Sequence, residues 1–358
     1  MHCLIIGCGY VGLPLGVELV RQGHEVFGLR RSASTANELN AAGIKPLIAD
    51  ITRPETLAKL PREFDWVVNC VSSTGGNAED YRQVYLQGTR NLIEWLAPAS
   101  AEAPARQALK KFVYTSSTSV YGQTDGSQVK ESSPTEPAAE TAKILVETEK
   151  LLLAAACPLN QPSATFSPAG GEGRDEGASV AGRAIPGGQN MTAFPAVILR
   201  VAGIYGPDRG HWFKQFLKNE ARIEGDGSRF LNMIHRDDVV GCILAALKNG
   251  RPGEIYNAVD DEPVSQATFF QWLAGTVGKY PPPSAPAAVA LARFGAPRKN
   301  ADENPERFRG VTNKRLVNRK LKMELGYQFK YPNFRKGYTA ELLRLERAGE
   351  LHILPDER

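Results

Sequence analysis

The sequence predicts an α/β fold built on a doubly wound parallel sheet, joined to a smaller and mostly C-terminal α/β domain. In the first half of the chain, apolar strand-like runs alternate with helical patterns, which is typical of βαβ units. Residues 66–68 and 112–114 are continuously apolar, as strands buried on both faces of a parallel sheet are. A glycine-rich turn at 7–12 joins the first strand to the first helix. These three observations predict the class of fold.

Periodicity and breaker residues place the elements in order along the chain. We predict strands at 3–6, 24–29, 45–49, 65–71, 111–116, 196–201 and 254–257. We predict helices at 11–20, 34–42, 79–96, 140–156, 212–218, 237–248, 266–277, 314–325 and 335–348. Residues 280–304 hold several prolines and are predicted to form a loop with one short helix.

The composition changes sharply at 157–192, which is rich in Gly, Ala, Pro and Ser and nearly free of large apolar side chains. Such a segment cannot bury enough surface to offset its ordering entropy. We interpret it as a flexible low-complexity insertion within a first domain at 1–206. A second domain at 207–358 is expected to bind substrate, with 236–260 returning to the sheet of the first domain.

The overall composition is that of an ordinary globular protein, with 42% apolar residues, 23% charged residues and a formal net charge of +4. Basic residues concentrate at 293–336, with 13 Lys or Arg against four Asp or Glu. This stretch is either an anion-binding face or a solvated, helix-rich surface, and the second interpretation is favoured. It holds no recognisable nucleic-acid motif, so we do not expect a nucleic-acid partner.

Cysteine usage indicates a reducing compartment. The chain has five cysteines and no C-x-x-C pair, and Cys3 and Cys70 lie in apolar runs where a thiol behaves as a small hydrophobe. The first strand begins at residue 3, which leaves no room for a signal peptide. No apolar run approaches the length needed to span a bilayer. We therefore expect a cytoplasmic protein that does not associate with a membrane.

The glycine turn carries the most specific chemical signal. Gly7, Gly9 and Gly12 follow a strand and open a helix, the context in which G-x-G-x-x-G binds a dinucleotide. The first glycine permits the tight turn, the second lets a diphosphate approach the backbone, and the third allows close packing of helix and strand. Tyr10 and Val11 then present N–H groups at the helix N-terminus. The first domain is thus predicted to be a Rossmann domain.

The end of the second strand indicates which dinucleotide is bound. An acidic residue there would favour NAD(H) by accepting the ribose 2′-hydroxyl. This sequence has Arg30, Arg31 and Ser32 instead, and guanidinium groups suit a 2′-phosphate because they donate charge-assisted hydrogen bonds. NADP(H) is therefore favoured, and NAD(H) stays open because two solvated surface arginines would look the same in sequence.

Five further segments follow the glycine turn in a characteristic order. They are A-D-I at 49–51, G-T-R-N-L at 88–92, S-S-T-S-V-Y-G at 116–122, L-R at 199–200 with Y-G-P at 205–207, and I-H-R-D-D-V at 234–239. Each is a modest signal, but their order and spacing are jointly specific. With them, nearly the whole chain outside the insertion resembles the extended short-chain dehydrogenase/reductases, the group of NAD(P)-dependent epimerases and dehydratases.

The resemblance implies further cofactor contacts. It places Asp50 near the adenine, and Ile51, Cys70 and Val71 beside the same ligand. It assigns Ser117 as the catalytic hydroxyl and Lys143 as the lysine that holds the nicotinamide ribose.

The usual acid/base tyrosine, four residues before the lysine, is replaced by Ala139. The chain therefore resembles an atypical branch that keeps the cofactor site and lacks this tyrosine. General acid/base catalysis contributes about 10²–10⁴-fold to rate, so a substitute is needed for ordinary activity. Tyr121 and Glu140 are the candidates, each with a structural alternative as a packed aromatic or a solvated carboxylate.

Other departures narrow the substrate. Thr118 and Ser119 stand where the dehydratase subgroup carries Asp-Glu, which disfavours a sugar 4,6-dehydratase. Leu231 stands where sugar-nucleotide enzymes carry a phosphate-binding arginine, with Arg229 nearby. Tyr85 replaces the asparagine that many members carry three residues before the G-T pair.

The leading hypothesis is an NADP(H)-binding oxidoreductase or epimerase-like enzyme that acts on a small carbonyl or hydroxyl substrate, without a metal ion. The alternative is a non-catalytic NADP(H)-binding sensor or interaction protein. The missing tyrosine favours the alternative, while the retained Ser117 and Lys143 oppose it. Family members often dimerise through a pair of helices that correspond to 79–96 and 140–153 in this chain. The resemblance therefore also suggests a homodimer.

Overall fold

The computed structural model describes residues 1–73, 76–97, 109–156, 193–285 and 312–351. The insertion predicted at 157–192 lies outside these residues, as does most of the loop predicted at 280–304. Within that loop, Ser284–Ala285 forms a short strand.

A seven-stranded parallel sheet forms the centre of the molecule. In chain order its strands are β1 His2–Ile6, β2 Glu25–Arg30, β3 Lys45–Ile48, β4 Trp66–Asn69, β5 Lys111–Ser117, β6 Ala196–Val201 and β7 Ile255–Ala258. In space they run β7-β6-β5-β4-β1-β2-β3. All six pairings between neighbouring strands are parallel; for example, the register of β1 places Cys3 between Val26 and Trp66. The predicted doubly wound α/β fold is confirmed.

Helices cover both faces of this sheet, as the apolar strands require. The described helices are Gly12–Arg21, Ala36–Ala41, Pro54–Leu57, Ala78–Tyr81, Gly88–Leu96, Glu140–Ala156, His211–Leu217, Arg236–Asn249, Gln266–Val277, Arg319–Leu325 and Phe334–Arg347. A π-helical segment, Arg82–Gln87, joins Ala78–Tyr81 to Gly88–Leu96. One core packs the first helix and Arg236–Asn249 on the sheet. A second core packs Gly88–Leu96 and Glu140–Ala156 on the opposite face.

A third apolar core lies beyond the carboxyl ends of the strands. It is built from His211–Leu217, Gln266–Val277 and Phe334–Arg347, with aromatic side chains such as Phe269 and Tyr338 fully buried between them. Four short two-stranded sheets surround it or tie it to the central sheet. They are Gly203–Tyr205 with Met233–His235, Ile223–Glu224 with Ser284–Ala285, Phe230–Leu231 with Val264–Ser265, and Gln128–Val129 with Arg315–Leu316.

The helix predicted at 314–325 is wrong at its start, because the helix begins only at Arg319. Residues Arg315–Leu316 instead form a parallel strand beside Gln128–Val129. The N–H of Arg315 donates to the carbonyl of Ser127 over 2.8 Å. A hydrogen bond to a segment so distant in sequence overrides the local helical preference.

At 312–336, the part of the basic stretch that the structure describes, four of the eight basic side chains form ion pairs. Ion pairs join Lys320 to Glu254 at 2.6 Å and Lys322 to Asp261 at 3.0 Å. These acidic partners lie outside the stretch, so much of the local charge excess at 312–336 is neutralised by other parts of the chain. Among the described helices, none combines the length and apolar character needed to span a bilayer.

Lys314, in the same region, should make stability depend on pH. Its side chain is 4% exposed, its Nζ donates to the carbonyl of Tyr121 over 2.8 Å, and burial lowers its pKa from 10.5 to about 8. The folded protein therefore binds fewer protons than the unfolded chain between pH 8 and 10.5, so stability should rise with pH across that window. The gain should approach about 3 kcal/mol relative to Lys314→Met. Urea unfolding of both proteins at pH 7 and pH 10 measures it, and an unchanged difference between them would contradict the prediction.

Candidate functional site

A cleft of about 820 Å³ opens at the carboxyl ends of β1, β2, β4 and β5. It lies where the strand order reverses between β1 and β4, the position at which doubly wound sheets bind ligands. Its walls include these predicted residues: Gly7, Gly9, Tyr10, Val11, Arg30, Arg31, Ser32, Asp50, Ile51, Cys70, Val71 and Ser117. The chain topology therefore gathers nearly the whole predicted set.

The three glycines of the turn have different surroundings. A Cβ on Gly7 (φ +84°) would lie 2.7 Å from the backbone nitrogen of Val71, and a Cβ on Gly12 would lie 2.6 Å from the carbonyl oxygen of Gly7. Both are packed against backbone. A Cβ on Gly9 would meet no atom within 4 Å, so the turn is open at this glycine, beside the N-terminus of the first helix. Because the first N–H groups of a helix have no partner within it, this opening fits the diphosphate of a dinucleotide.

The two arginines at the end of β2 are not equivalent. Arg30 donates from Nε to the carbonyl of Cys8, and its Nη1 pairs with Glu38 at 2.6 Å. Arg31 is exposed and lines the cleft; within the described parts of the chain, no acidic side chain pairs with it. Ser32 caps the following turn by accepting from the N–H of Ser34. The guanidinium available to a ligand is therefore that of Arg31.

Hydrogen bonds fix the loop that follows β3. Asp50 accepts from the N–H and hydroxyl of Thr52 at 2.9 and 2.8 Å, and the side-chain amide of Asn91 donates to the carbonyl of Ile51 over 2.7 Å. Asn91 belongs to the G-T-R-N-L segment, whose role is thus to position this loop. Burial raises the pKa of Cys8 to about 12 and also raises that of Cys70, so both thiols stay neutral packing groups.

Ser117 ends β5 at the cleft, and its Oγ accepts from the N–H of Ser119 over 3.2 Å. Its neighbour Ser116 points the other way, because side chains alternate along a strand. The buried hydroxyl of Ser116 donates to Glu149 over 2.6 Å. Glu149 is in turn paired at 2.6 Å with Arg200, and both side chains are nearly fully buried. Ser117 is thus the last residue of a strand whose opposite face is anchored, through Ser116, to the buried ion pair of Glu149 and Arg200.

The structure does not bring Lys143 to the cleft. Lys143 lies in the first turn of Glu140–Ala156, its side chain is 52% exposed, and its Nζ pairs with Glu140 at 3.4 Å. Neither Lys143 nor Glu140 is among the cleft-lining residues. Glu140 also approaches Arg82 at 3.7 Å. The ammonium of Lys143 therefore pairs with a nearby carboxylate on the helix surface and does not line the cleft at the strand ends.

Tyr121 is also outside the cleft, which corrects its assignment as an acid/base candidate. Its ring is fully buried, its hydroxyl donates to Oδ1 of Asn257 and accepts from Nη1 of Arg200, both at 2.8 Å. Burial raises its pKa. Because both the proton and the oxygen of this phenol form hydrogen bonds in the core, Tyr121 links β6 and β7.

Tyr81, Tyr85 and Arg209 are among the lining residues that sequence reasoning did not identify as ligand contacts. The phenol oxygen of Tyr85 accepts from the N–H of Ser73 over 3.1 Å, and its ring lies 4.8 Å from that of Tyr81. Tyr85 lies in the π-helical segment, a feature often found at functional sites. The only sequence signal for it was its place in the position of the family's asparagine.

Taken together, the cleft and its open glycine turn define a dinucleotide-binding α/β protein. Residues 3–149 match the model of the NAD dependent epimerase/dehydratase family. The resemblance noted in the sequence is thereby confirmed. Among the described residues, no group of His, Cys, Asp and Glu is arranged to hold a metal ion.

Three similar proteins extend over most of the chain. The protein YeeZ of Escherichia coli strain K12 is 25% identical over 339 residues, which cover 92% of this chain and 96% of YeeZ. A 4-hydroxy-2-methyl-3-oxo-4-farnesyl-3,4-dihydroquinoline-1-oxide ketoreductase of Stigmatella aurantiaca is 26% identical over 76% of this chain and 72% of its own. A solved structure from Methylobacillus flagellatus, described as an NAD-dependent epimerase/dehydratase, is 29% identical in sequence. The two structures align with a TM-score of 0.63 over 96% of this chain and 98% of the other.

Proposed function

We propose that this protein is an NADP(H)-dependent oxidoreductase or epimerase-like enzyme that acts on a small carbonyl or hydroxyl substrate. The observation that carries the proposal is the cleft at the strand-order reversal, with an open glycine turn at Gly9 and, at the end of β2, an Arg31 with which no described acidic side chain pairs. The ketoreductase among the similar proteins supports a carbonyl as the reacting group.

Each part of the cleft has a role in this proposal. The N–H groups after Gly9 hold the diphosphate, Arg31 and Ser32 bind the 2′-phosphate, and Asp50 lies near the adenine. NADPH supplies a hydride when it is bound. The chain must then orient the substrate oxygen and supply its proton. We propose that Ser117 orients that oxygen, since this residue lines the cleft at the end of β5.

Tyr85 is the group we propose for the proton, in place of the tyrosine absent at position 139. Its oxygen accepts the N–H of Ser73, so the phenol's own hydrogen is left to donate. Burial raises its pKa, while the Ser73 hydrogen bond acts in the opposite direction. The phenol is therefore protonated at neutral pH, the form that a proton donor needs.

The choice of cofactor can be tested at Arg31. Arg31→Ala should raise the dissociation constant of NADPH about tenfold, because a charge-assisted hydrogen bond to the 2′-phosphate is lost. The dissociation constant of NADH should stay the same. Calorimetric titration of both cofactors measures this, with Arg53→Ala, at another exposed arginine, as a matched control. Equal losses for NADPH and NADH would contradict the assignment.

A second candidate function is a non-catalytic NADP(H)-binding sensor. The exposed position of Lys143, paired with Glu140 and away from the cleft, favours this alternative. NADPH oxidation with a panel of aldehydes and ketones separates the two, followed by NADP⁺ reduction with the matching alcohols. Turnover supports the enzyme; tight NADPH binding without turnover of any compound supports the sensor.

A further inference from the structure

The charged side chains that line the cleft differ in whether another side chain pairs with them. Among the lining residues of the described chain, the charged ones are Arg30, Arg31, Asp50 and Arg209. Arg30 is paired with Glu38, and Asp50 accepts from Thr52. Arg209 is exposed, and no described acidic side chain forms an ion pair with it. The cleft therefore offers two guanidinium groups without an acidic partner among the described residues, and Arg31 already has a proposed role.

Arg209 belongs to a tight turn that is fixed by two backbone hydrogen bonds and an ion pair. Its N–H donates to the carbonyl of Gly206 over 3.0 Å, and its own carbonyl accepts from the N–H of Gly206 over 3.2 Å. Asp208 between them has φ +58° and is paired at 2.9 Å with Arg344. The backbone at Arg209 is therefore fixed by its hydrogen bonds to Gly206 and by the ion pair of the neighbouring Asp208.

The same turn is attached to the glycine turn across the cleft. The hydroxyl of Tyr10 donates to the carbonyl of Pro207 over 2.9 Å. The guanidinium of Arg209 lies over the Tyr10 ring, 4.9 Å from its centroid. Arg236 approaches the same ring at 5.4 Å but is paired with Asp237 at 2.9 Å. Of the two cations beside the Tyr10 ring, Arg209 is therefore the one without a described acidic partner.

A stacked guanidinium suits an oxyanion. Stacking on an aromatic ring leaves the edge of the guanidinium free, and that edge donates several parallel hydrogen bonds to phosphate or carboxylate oxygens. The helix N-terminus that follows Gly9 favours negative charge at the same place. The turn at 206–210 and the glycine turn thus present complementary donors from opposite sides of one opening.

We propose that Arg209 is an anion-binding residue that closes the cleft opposite the glycine turn and takes a phosphate or carboxylate. This inference rests on the proposed dinucleotide site. The anion is either the diphosphate of the bound cofactor or an acidic group of a substrate bound beside it.

Calorimetry on Arg209→Ala distinguishes these two sources. If the cofactor diphosphate is the ligand, the dissociation constant of NADPH rises about 10- to 100-fold, while that of 2′-AMP, which has no diphosphate, is unchanged. If a substrate group is the ligand, NADPH binding is unchanged, but inorganic pyrophosphate binds to the NADP⁺-saturated wild type and not to the NADP⁺-saturated variant. Arg209→Lys, which keeps the charge without the planar donors, should lie between wild type and Arg209→Ala.

Arg62→Ala, at an exposed arginine distant from the cleft lining, should match wild type in every titration. If neither NADPH nor pyrophosphate binding depends on Arg209, the inference is overturned and the dinucleotide site stands. If wild type binds no NADPH, the proposed function fails. Pyrophosphate binding to the free protein, compared with the free Arg209→Ala variant, then still decides the anion site.

Discussion

Replacement of Gly9 by valine should raise the dissociation constant of NADPH at least about 100-fold, a loss of roughly 3 kcal/mol of binding free energy, and leave the fold intact. A Cβ at this position meets no protein atom within 4 Å, and Gly9 is not among the glycines with positive φ. The added side chain therefore fits the protein and occupies the space through which a diphosphate would reach the backbone. Calorimetry with NADPH measures the loss, and thermal unfolding reports the fold.

Two other glycines provide the comparison. Gly275→Val also meets no atom within 4 Å, lies in Gln266–Val277 away from the cleft, and should bind NADPH like wild type. Gly12→Val should instead lower the melting temperature, because its Cβ would lie 2.6 Å from the Gly7 carbonyl and 2.9 Å from Cγ2 of Ile5. Unchanged NADPH affinity in Gly9→Val would show that the ligand does not approach this turn.

The second large effect is expected at Tyr85. Tyr85→Phe should reduce the turnover of a carbonyl substrate by about 100-fold or more, the usual contribution of a general acid, without changing the dissociation constant of NADPH. The phenol lines the cleft, and its oxygen is held by the N–H of Ser73 at 3.1 Å. Phenylalanine keeps the ring packing against Tyr81 and removes only the hydroxyl. Steady-state rates and calorimetry separate the loss of chemistry from any loss of binding.

The pH profile adds an independent check on Tyr85. Reduction needs the protonated phenol, and burial raises its pKa above the usual 10.0. The rate for wild type should therefore not fall from loss of this proton until pH exceeds that value. Tyr280→Phe, at a side chain that is 94% exposed, is the matched control and should keep full activity. Turnover in Tyr85→Phe equal to that of wild type would leave the proton to another group.

The parallel sheet and the cofactor turn could be predicted because their signals are local. An alternation of apolar runs and helical patterns determines βαβ units, and right-handed crossovers leave few ways to arrange them. Gly7, Gly9 and Arg31 act through backbone conformation or through the end of a strand, and parallel strands end at the same edge of a sheet. Their grouping in one cleft therefore follows from the strand order.

Side chains that reach the cleft from helices and distant turns could not be predicted in this way. The role of Lys143 was predicted from the family resemblance, yet its ammonium pairs with Glu140 at the surface. Tyr121 follows the S-S-T-S-V segment directly, yet its hydroxyl is used by Asn257 and Arg200, from two other strands. In each case the outcome depends on which partner is nearest in space.

By itself, then, the sequence determined the doubly wound sheet, the glycine turn and the arginine pair at the end of β2. Only the tertiary structure decided that Arg30 pairs with Glu38 while Arg31 meets no described acidic side chain, that Tyr85 lines the cleft, and that Arg209 lies beside the glycine turn. The physical reason is the range of the interactions. Backbone turns and strand periodicity are set by neighbouring residues, whereas the direction of a long side chain is set by ion pairs, hydrogen bonds and stacking with residues that are distant in sequence.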